Sequence, residues 1–329
     1  MRIVVDAMGS DAYPVPDVEG AVMAAREFGD EMILVGDEPR IQAELAKHNP
    51  VGLPIHVHHA SQVIEMSDKP SAAARAKKDS SMHVGMGLVR DGQADAYVTA
   101  GNTGGVYIVA TLHTLGRIQG VKRPALSVIF PIANRPIVLD IGANADCKPE
   151  YLAQFGLMGA IYARLALGVA NPRVALLSNG EEEGKGNELI HATIPLLAQS
   201  GLNFIGNVEP KEFVKGAADV VVTDGFTGNM LVKTSEAISS YMSNLIRQEI
   251  MTSPITQLGG KLAKPAFGRA RKAMDPFEVG GAPLLGVNGV VIIAHGRSNA
   301  YAIKQAVGKA RRAVEQDVVG AIRRGISDQ

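Results

Sequence analysis

Six glycine-rich loops hold the residues best suited to chemistry. They are Asp6-Ala7-Met8-Gly9-Ser10-Asp11, Ala100-Gly101-Asn102-Thr103-Gly104-Gly105, Asp140-Ile141-Gly142-Ala143-Asn144, residues 179–187, Asp224-Gly225-Phe226-Thr227-Gly228-Asn229 and His295-Gly296-Arg297-Ser298. Each follows a short apolar run and opens a segment of helical periodicity. The first N–H groups of a helix lack intrahelical partners and attract anions. Ordinary turn and cap chemistry explains any one such loop. Six of them, rich in Asn, Asp and Thr, predict a phosphate or carboxylate site. In an open α/β sheet such loops gather at the carboxyl ends of the strands.

Other chemistries find no support. The first loop lacks G-x-G-x-x-G, and Asp11 would repel a pyrophosphate. Gly180 to Gly186 has the wrong spacing for a P-loop and no hydroxyl after Lys185. No G-x-S-x-G elbow occurs. His56, His58 and His59 read as a surface strand without the carboxylates of a metal motif. Cys147 is the single cysteine, so an intrachain disulfide or multi-cysteine metal site is excluded, and a packing role is expected.

The elements that position these loops follow from hydrophobic pattern. Strand-like runs fall at 3–5, 32–35, 55–57, 96–99, 126–130, 137–139, 174–177, 203–205, 220–223 and 290–294. Helical periodicity covers 16–28, 71–90, 149–167, 186–199 and 298–323. This alternation predicts a doubly wound, mostly parallel sheet with helices on both faces. With no linker, residues 1–329 are expected to form one two-lobed α/β catalytic domain. Lysine plus arginine and aspartate plus glutamate both total 33 in the 329 residues, so the chain is not expected to bind nucleic acid. Glycine, at 36, is enriched. Asp6 interrupts any leader-like start, and 156–170 carries Arg164 and is short for a membrane helix. A cytoplasmic protein is expected.

The loop motifs resemble a known family. DAMGSD at 6–11, TAGNTGG at 99–105, LDIGAN at 139–144, KGNE at 185–188, DGFTGN at 224–229, GVNG at 286–289 and HGRS at 295–298 are similar to the phosphate acyltransferases of bacterial phospholipid synthesis, the PlsX family. Ser10 stands where the family usually has glycine, and Val287 where it commonly has leucine. The resemblance implies an acyl-[acyl-carrier-protein]:phosphate acyltransferase that moves a long-chain fatty acyl group to inorganic phosphate. The acyl phosphate would feed a membrane glycerol-3-phosphate acyltransferase. It also implies an isocitrate/isopropylmalate dehydrogenase-like, phosphotransacetylase-like fold, a homodimer, acyl carrier protein as partner, and no metal or organic cofactor.

Attack of phosphate on a thioester needs a held anion and oriented donors for the developing oxyanion. Asn102, Thr103, Gly104 and Gly105 are the first candidates for the anion, although Asn102 or Thr103 can equally cap a helix. Lys185, with Asn187 beside it, can bind phosphate or polarise the carbonyl, or else pair with the acidic run 181–183. Asp224 and Asn229 can orient and donate, or simply cap. His295 can protonate the leaving thiolate, because histidine titrates near neutrality, or bond to backbone. Asn144 and Ser298 join the phosphate-binding candidates, while Asp6, Gly9, Asp11 and Asp140 are expected to shape loops.

Residues 250–274 contain no acid but carry Lys261, Lys264, Arg269, Arg271 and Lys272. A long amphipathic helix over 230–250 precedes them, and Gly259-Gly260 suits the tip of a hairpin spanning 230–275. Ile255, Leu258, Lys261, Leu262, Lys264, Arg269 and Arg271 are expected to contact a membrane or the carrier protein, or else a second copy of the chain. Two other readings remain at this point: a metal-dependent 2-hydroxyacid dehydrogenase of the same fold, and a membrane-associated scaffold without enzymatic activity.

Overall fold

A computed structural model describes residues 1–182, 184–273 and 280–328 of the chain, with the side chains of 271–273 outside it. Glu183 and positions 274–275 of the expected hairpin therefore lie outside the described residues, as do the Arg271 and Lys272 side chains. The first half runs β1 (Arg2–Asp6), α1 (Val15–Phe28), β2 (Glu31–Gly36), α2 (Glu38–Leu45), β3 (Ile55–His59), α3 (Pro70–Ala76), α4 (Ser81–Arg90), β4 (Ala96–Thr99) and α5 (Thr103–Ile108). Then come β5 (Ala125–Ile129), β6 (Ile137–Leu139), α6 (Pro149–Ala166), β7 (Val174–Leu177), α7 (Glu188–Ala198), β8 (Phe204–Val208), α8 (Pro210–Val214) and β9 (Val220–Val222). The chain continues through α9 (Gly225–Ile250), α10 (Pro254–Ala273), β10 (Ala282–Leu285), β11 (Val290–Ile293), α11 (Ala300–Glu315) and α12 (Val318–Ser327).

Among the described residues, one sheet of eleven strands, in the order β3-β2-β1-β4-β11-β10-β5-β6-β9-β7-β8, organises the molecule. The five strands from β3 to β11 are mutually parallel, as are the four from β6 to β8. Between them stand three antiparallel pairings: β11 with β10, β10 with β5, and β5 with β6. An odd number of reversals makes the two parallel halves run in opposite directions.

The two sheet faces differ. On one, Ile3, Val98, Ile292, Leu139, Leu176 and Val222 pack with α1, α6, α11 and α12 in a core that is continuous across both halves. On the other, the core is split. Val4, Tyr97, Val291 and Leu126 pack under α4 and α5, while Val138, Ala175 and Val221 pack with Phe213 of α8 and Leu231 of α9. Ile141 touches both clusters and marks the cleft between them.

All ten expected strands form, within a few residues of their expected ends. β10 is an eleventh, obscured in sequence by Gly280, Gly281 and Pro283 around it. The expected helix 71–90 is two helices. Lys77 leaves helical geometry, and the Ser80 hydroxyl caps α4 by accepting from the His83 N–H at 3.4 Å. The expected helix 298–323 also breaks, at Asp317, which has φ 47° and caps α12.

The hairpin tip lies at Met251–Ser253 rather than at Gly259-Gly260. Ser253 and Pro254 start a new helix, with the Ser253 hydroxyl accepting from Thr256 N–H at 3.2 Å. Gly260 instead lets the two helices cross, since a Cβ there would lie 2.5 Å from Ile250 Cγ2. Only Gly225 and Gly228 of α9 are buried, so most of the hairpin leaves the body of the molecule.

Gly159 holds α6 close to the sheet: a Cβ there would meet Val220 Cγ1 at 2.6 Å and Leu139 Cδ2 at 2.9 Å. Gly159→Ala is expected to destabilise the protein by about 1–3 kcal/mol through overpacking. Gly259→Ala, facing open space within α10, is expected to add about 0.5–1 kcal/mol. Urea unfolding of both variants checks the pair.

Candidate active site

The six loops do not meet at one edge, because the second half of the sheet is inverted. They form two groups and an outlier.

The first group joins the loops after β1, β4 and β11. Asp11 N–H donates to the Gly296 carbonyl at 2.8 Å, and Ala294 N–H to that of Thr99 at 2.7 Å. Gly9 is pressed against the second loop: a Cβ would lie 2.8 Å from Thr99 Oγ1 and 2.9 Å from Ala100 N. Beneath them Asp6 is fully buried, accepting from Tyr97 Oη at 2.9 Å, Thr99 Oγ1 at 2.8 Å and Met8 N at 3.1 Å. Burial raises its carboxyl pKa, against these hydrogen bonds. Asp17 of α1 is also fully buried, with Ser10 Oγ donating at 2.5 Å to one oxygen. Its other oxygen has no partner among the described residues. Desolvation pushes its pKa up to about 7.

Asn102 is a cap and an anchor rather than an anion donor. Its Oδ1 accepts from Gly105 N–H at 3.0 Å, and its Nδ2 faces the carbonyls of Glu65, Met66 and Asp68 at 3.1–3.3 Å. Gly104 and Gly105 serve packing: a Cβ on the first would lie 2.7 Å from Pro70 Cγ, and one on the second 3.1 Å from Ile64 Cγ2. The free donors of this group lie elsewhere. Thr103 is exposed, and as the first residue of α5 its N–H has no intrahelical acceptor. Ser298 Oγ is buried and unpartnered among the described residues. His295 is exposed, and its Nδ1 accepts from Arg297 N–H at 3.1 Å. That bond leaves the proton of a neutral ring on Nε2. The ring can then donate a hydrogen bond, but full proton donation to a thiolate does not suit this tautomer.

The second group joins the loops after β6 and β9. The fully buried Asp140 carboxylate accepts from the N–H groups of Leu126, Gly142, Ala143 and Asn144 and from Asn144 Nδ2, at 2.6–3.2 Å. Burial again raises its pKa, opposed by these bonds. Asp224 caps α9, accepting from Thr227 N at 2.8 Å and Thr227 Oγ1 at 2.7 Å. Asn229 Nδ2 donates to the Ile141 carbonyl at 3.2 Å and keeps a second amide hydrogen. A Cβ on Gly228 would collide with the Asp140 carbonyl oxygen. Cys147 is half-buried, with Sγ 3.5 Å from the Asn144 carbonyl, and burial pushes its thiol up to about 12. A thiol held protonated is no nucleophile.

The outlier is the loop after β7. Lys185 is exposed, and its ammonium has no partner among the described residues; of the acidic run 181–183, Glu181 and Glu182 do not pair with it and Glu183 lies outside the described residues. Asn187 caps α7, accepting from Ile190 N–H at 3.0 Å. Nearby Glu181, Glu209 and Glu212 could approach a cation, but Glu212 already pairs with Lys215 at 2.8 Å.

Tyr107 links the two groups. It lies on α5, one turn beyond Thr103, and its hydroxyl donates to Asn144 Oδ1 at 3.2 Å across the cleft. Sequence reading missed it, along with Met66, whose Cε lies 2.7 Å from where a Cβ on Gly296 would sit. The one-turn spacing from Thr103 was the available signal for Tyr107. Nothing local marked Met66. Asp17 was also missed, because an acid in a first helical turn reads as ordinary dipole complementation. His56, His58 and His59 lie on the edge strand β3, away from both groups.

Residues 1–321 match the model of a family described as fatty acid synthesis protein. The chain is 48% identical over 319 residues to the phosphate acyltransferase of Geobacter sulfurreducens, covering 97% of this chain and 92% of that protein. It is 46% identical over 327 residues to the phosphate acyltransferase of Pelotomaculum thermopropionicum, covering 99% and 95%. Its fold is that of a phosphotransacetylase from Streptococcus pyogenes, with TM-score 0.63, 17% identity and coverage of 96% of this chain and 94% of the other. The EutD phosphotransacetylase from Staphylococcus aureus gives 0.57 at 16% identity, over 95% and 94%.

The buried Asp17 sets a pH dependence. Its folded pKa lies above the unfolded value, so the native state binds the extra proton between about pH 4 and 7 and stability falls as pH rises through that window. A rise from 3.8 to about 7 corresponds to a cost on the order of 4 kcal/mol above pH 7. Asp17→Asn keeps an acceptor for Ser10 without the charge. Urea unfolding is expected to show it more stable than the parent at pH 8, with the gain shrinking by pH 5.

Proposed function

The chain belongs to the fatty acid synthesis protein family, and from that premise we propose that it carries a long-chain acyl group from acyl carrier protein thioester to inorganic phosphate. The chain is a transferase, and acyl transfer to phosphate is its reaction class. The dehydrogenase and scaffold readings do not accord with relatives of this name. The acyl phosphate product suits phosphatidic acid and phospholipid synthesis, with a membrane glycerol-3-phosphate acyltransferase as the consuming enzyme.

The observation that carries the site assignment is the first loop group. Its Thr103 N–H, Ser298 hydroxyl and His295 ring are donors without acceptors among the described residues, set over the buried, well-bonded Asp6. In this reading the Thr103 N–H and the Ser298 hydroxyl hold phosphate, and the single Nε2–H of His295 is kept for the leaving sulfur. A phosphate oxygen attacks the thioester carbonyl carbon, a tetrahedral oxyanion forms, and the C–S bond breaks with the electron pair leaving on sulfur. A thiol with a pKa near 8.5 leaves readily as thiolate, so a donated hydrogen bond from His295 suffices. Lys185, whose ammonium has no partner among the described residues, and the second amide hydrogen of Asn229 serve the oxyanion. Asp224, Asn144, Asn102 and Asn187 hold the loops that present them.

No helix among the described residues is long and apolar enough to cross a membrane. On α10, Ile255, Leu258 and Leu262 are 83%, 61% and 77% exposed, at helical spacing, with Lys261, Lys264 and Arg269 also exposed. Apolar and basic side chains on a projecting helix suit peripheral association with an anionic membrane surface. The exposed Ile238, Tyr241, Met242 and Ile246 of α9 suit pairing of stems in a homodimer.

Lys185→Ala and Asn229→Ala are each expected to lower kcat by about 10²-fold or more, the scale for losing an oxyanion donor. The assay follows acyl phosphate from palmitoyl carrier protein and phosphate; near-parental turnover in both removes the assignment, and no acyl phosphate from the parent removes the function. Leu258→Glu is expected to abolish sedimentation with anionic liposomes while leaving turnover in solution unchanged.

A further inference from the structure

Residues 96–139 contain no Asp or Glu, a longer acid-free stretch than the one in the hairpin. Three of its four lysines and arginines, Arg117, Lys122 and Arg123, fall in the loop that leads into β5. All three are exposed. The loop packs on α12, where a Cβ on Gly120 would lie 2.6 Å from Ile326 Cγ2. There Arg323, also exposed, donates to Asn288 Oδ1 at 3.2 Å, and Asn288 Nδ2 donates to the Arg117 carbonyl at 2.9 Å. Four cations thus share one surface. Among the described residues none of them pairs with a carboxylate. Of the acids on the elements packed here, Asp317 is engaged by Arg324 at 3.1 Å, while Glu150 and Asp328 are exposed at helix ends.

The patch adjoins the cleft. Arg123 stacks over Tyr151, 6.0 Å from the ring centroid. Burial raises the pKa of Tyr107, the residue that bridges the two loop groups, and the nearby charge of Arg123 opposes that rise. The patch differs from the hairpin in one decisive way. Within the loop Leu115, Ile118 and Val121 are buried, 1–7% exposed, and Leu112, at 74%, is the one large apolar side chain exposed in residues 96–139. Unpaired cations with a single exposed apolar side chain do not suit insertion into a lipid surface, which needs an apolar face as well as charge. They suit an acidic protein, held by complementary charge.

We propose that this surface, formed by Arg117, Lys122, Arg123 and Arg323, docks the acidic protein that delivers the acyl thioester to the cleft. The inference rests on the carrier-protein donor proposed above and gives it a location distinct from the hairpin.

The test uses the full chain with Arg117→Glu, Lys122→Glu and Arg323→Glu combined, leaving Arg123 beside Tyr107. Binding of palmitoyl carrier protein is read by fluorescence anisotropy, and KM and kcat are measured with that donor and with uncharged palmitoyl-pantetheine. Kd and KM for the carrier protein are expected to rise by about tenfold or more with kcat little changed. Palmitoyl-pantetheine kinetics should stay at parental values, and the salt dependence of carrier binding should weaken. If the triple variant melts early, Lys122→Glu alone, at an exposed side chain without a bond among the described residues, is expected to raise Kd by about threefold. An unchanged Kd, or weakening only in Lys261→Glu/Lys264→Glu on the hairpin, overturns the proposal. A parent that uses palmitoyl-pantetheine yet does not bind carrier protein overturns the donor reading itself, and this inference with it.

Discussion

Two short strands at the centre of the sheet, β10 and β5, decide the shape of the site. Each pairs antiparallel on both sides, so the direction of the sheet reverses an odd number of times between the two parallel halves. Loops at the carboxyl ends of the halves must then leave in opposite directions. A doubly wound sheet of one sense would have lined all six loops along one edge. Here α5 lies over the strands of the first half, and its Tyr107 reaches the loop after β6. One continuous core holds the halves together on one face, and the split core on the other opens the cleft. The same backbone ladder thus supplies both rigidity and access.

Within that frame, two buried carboxylates organise the loops. Asp6 at the end of β1 and Asp140 just after β6 are both inaccessible to water, and both accept several hydrogen bonds. A buried charge is tolerated when such donors replace water. Each also converts a flexible glycine-rich loop into a fixed one. Asp140 satisfies three consecutive N–H groups, from Gly142 to Asn144, and thereby places Asn144 for Tyr107. Asp17 lacks this full complement: one oxygen has no partner among the described residues, and burial pushes its pKa up to about 7. It supports the turn bearing Ser10.

A formal charge of zero conceals a divided surface. Both acid-free stretches are basic, yet the apolar residues interleaved with their cations lie on opposite sides of the solvent boundary. On the hairpin they are exposed, because α9 and α10 leave the core after the first turn of α9. In the loop before β5 they are buried against the body of the protein. Charge alone does not separate a lipid partner from a protein partner; the position of the apolar neighbours does.

Much of this was legible in the sequence. Period-two and period-3.6 patterns located the strands and most helices, since burial of one face imposes them wherever the element lies. The loop motifs carried the family, because glycine, Asn and Asp at helix entries follow from local backbone geometry. Capping by Asp224 and Asn187 was foreseeable for the same reason. What the tertiary structure decided was everything that depends on partners distant in sequence. It turned Asn102 from a phosphate donor into an anchor for 65–68, 34 to 37 residues away, and moved the hairpin tip to where Pro254 starts a helix. It inverted half the sheet through β10, whose pairing no local pattern displays. Local propensity is written along the chain, but strand order and the neighbours of a buried donor are fixed only when separate segments compete for the same hydrogen bonds and the same core.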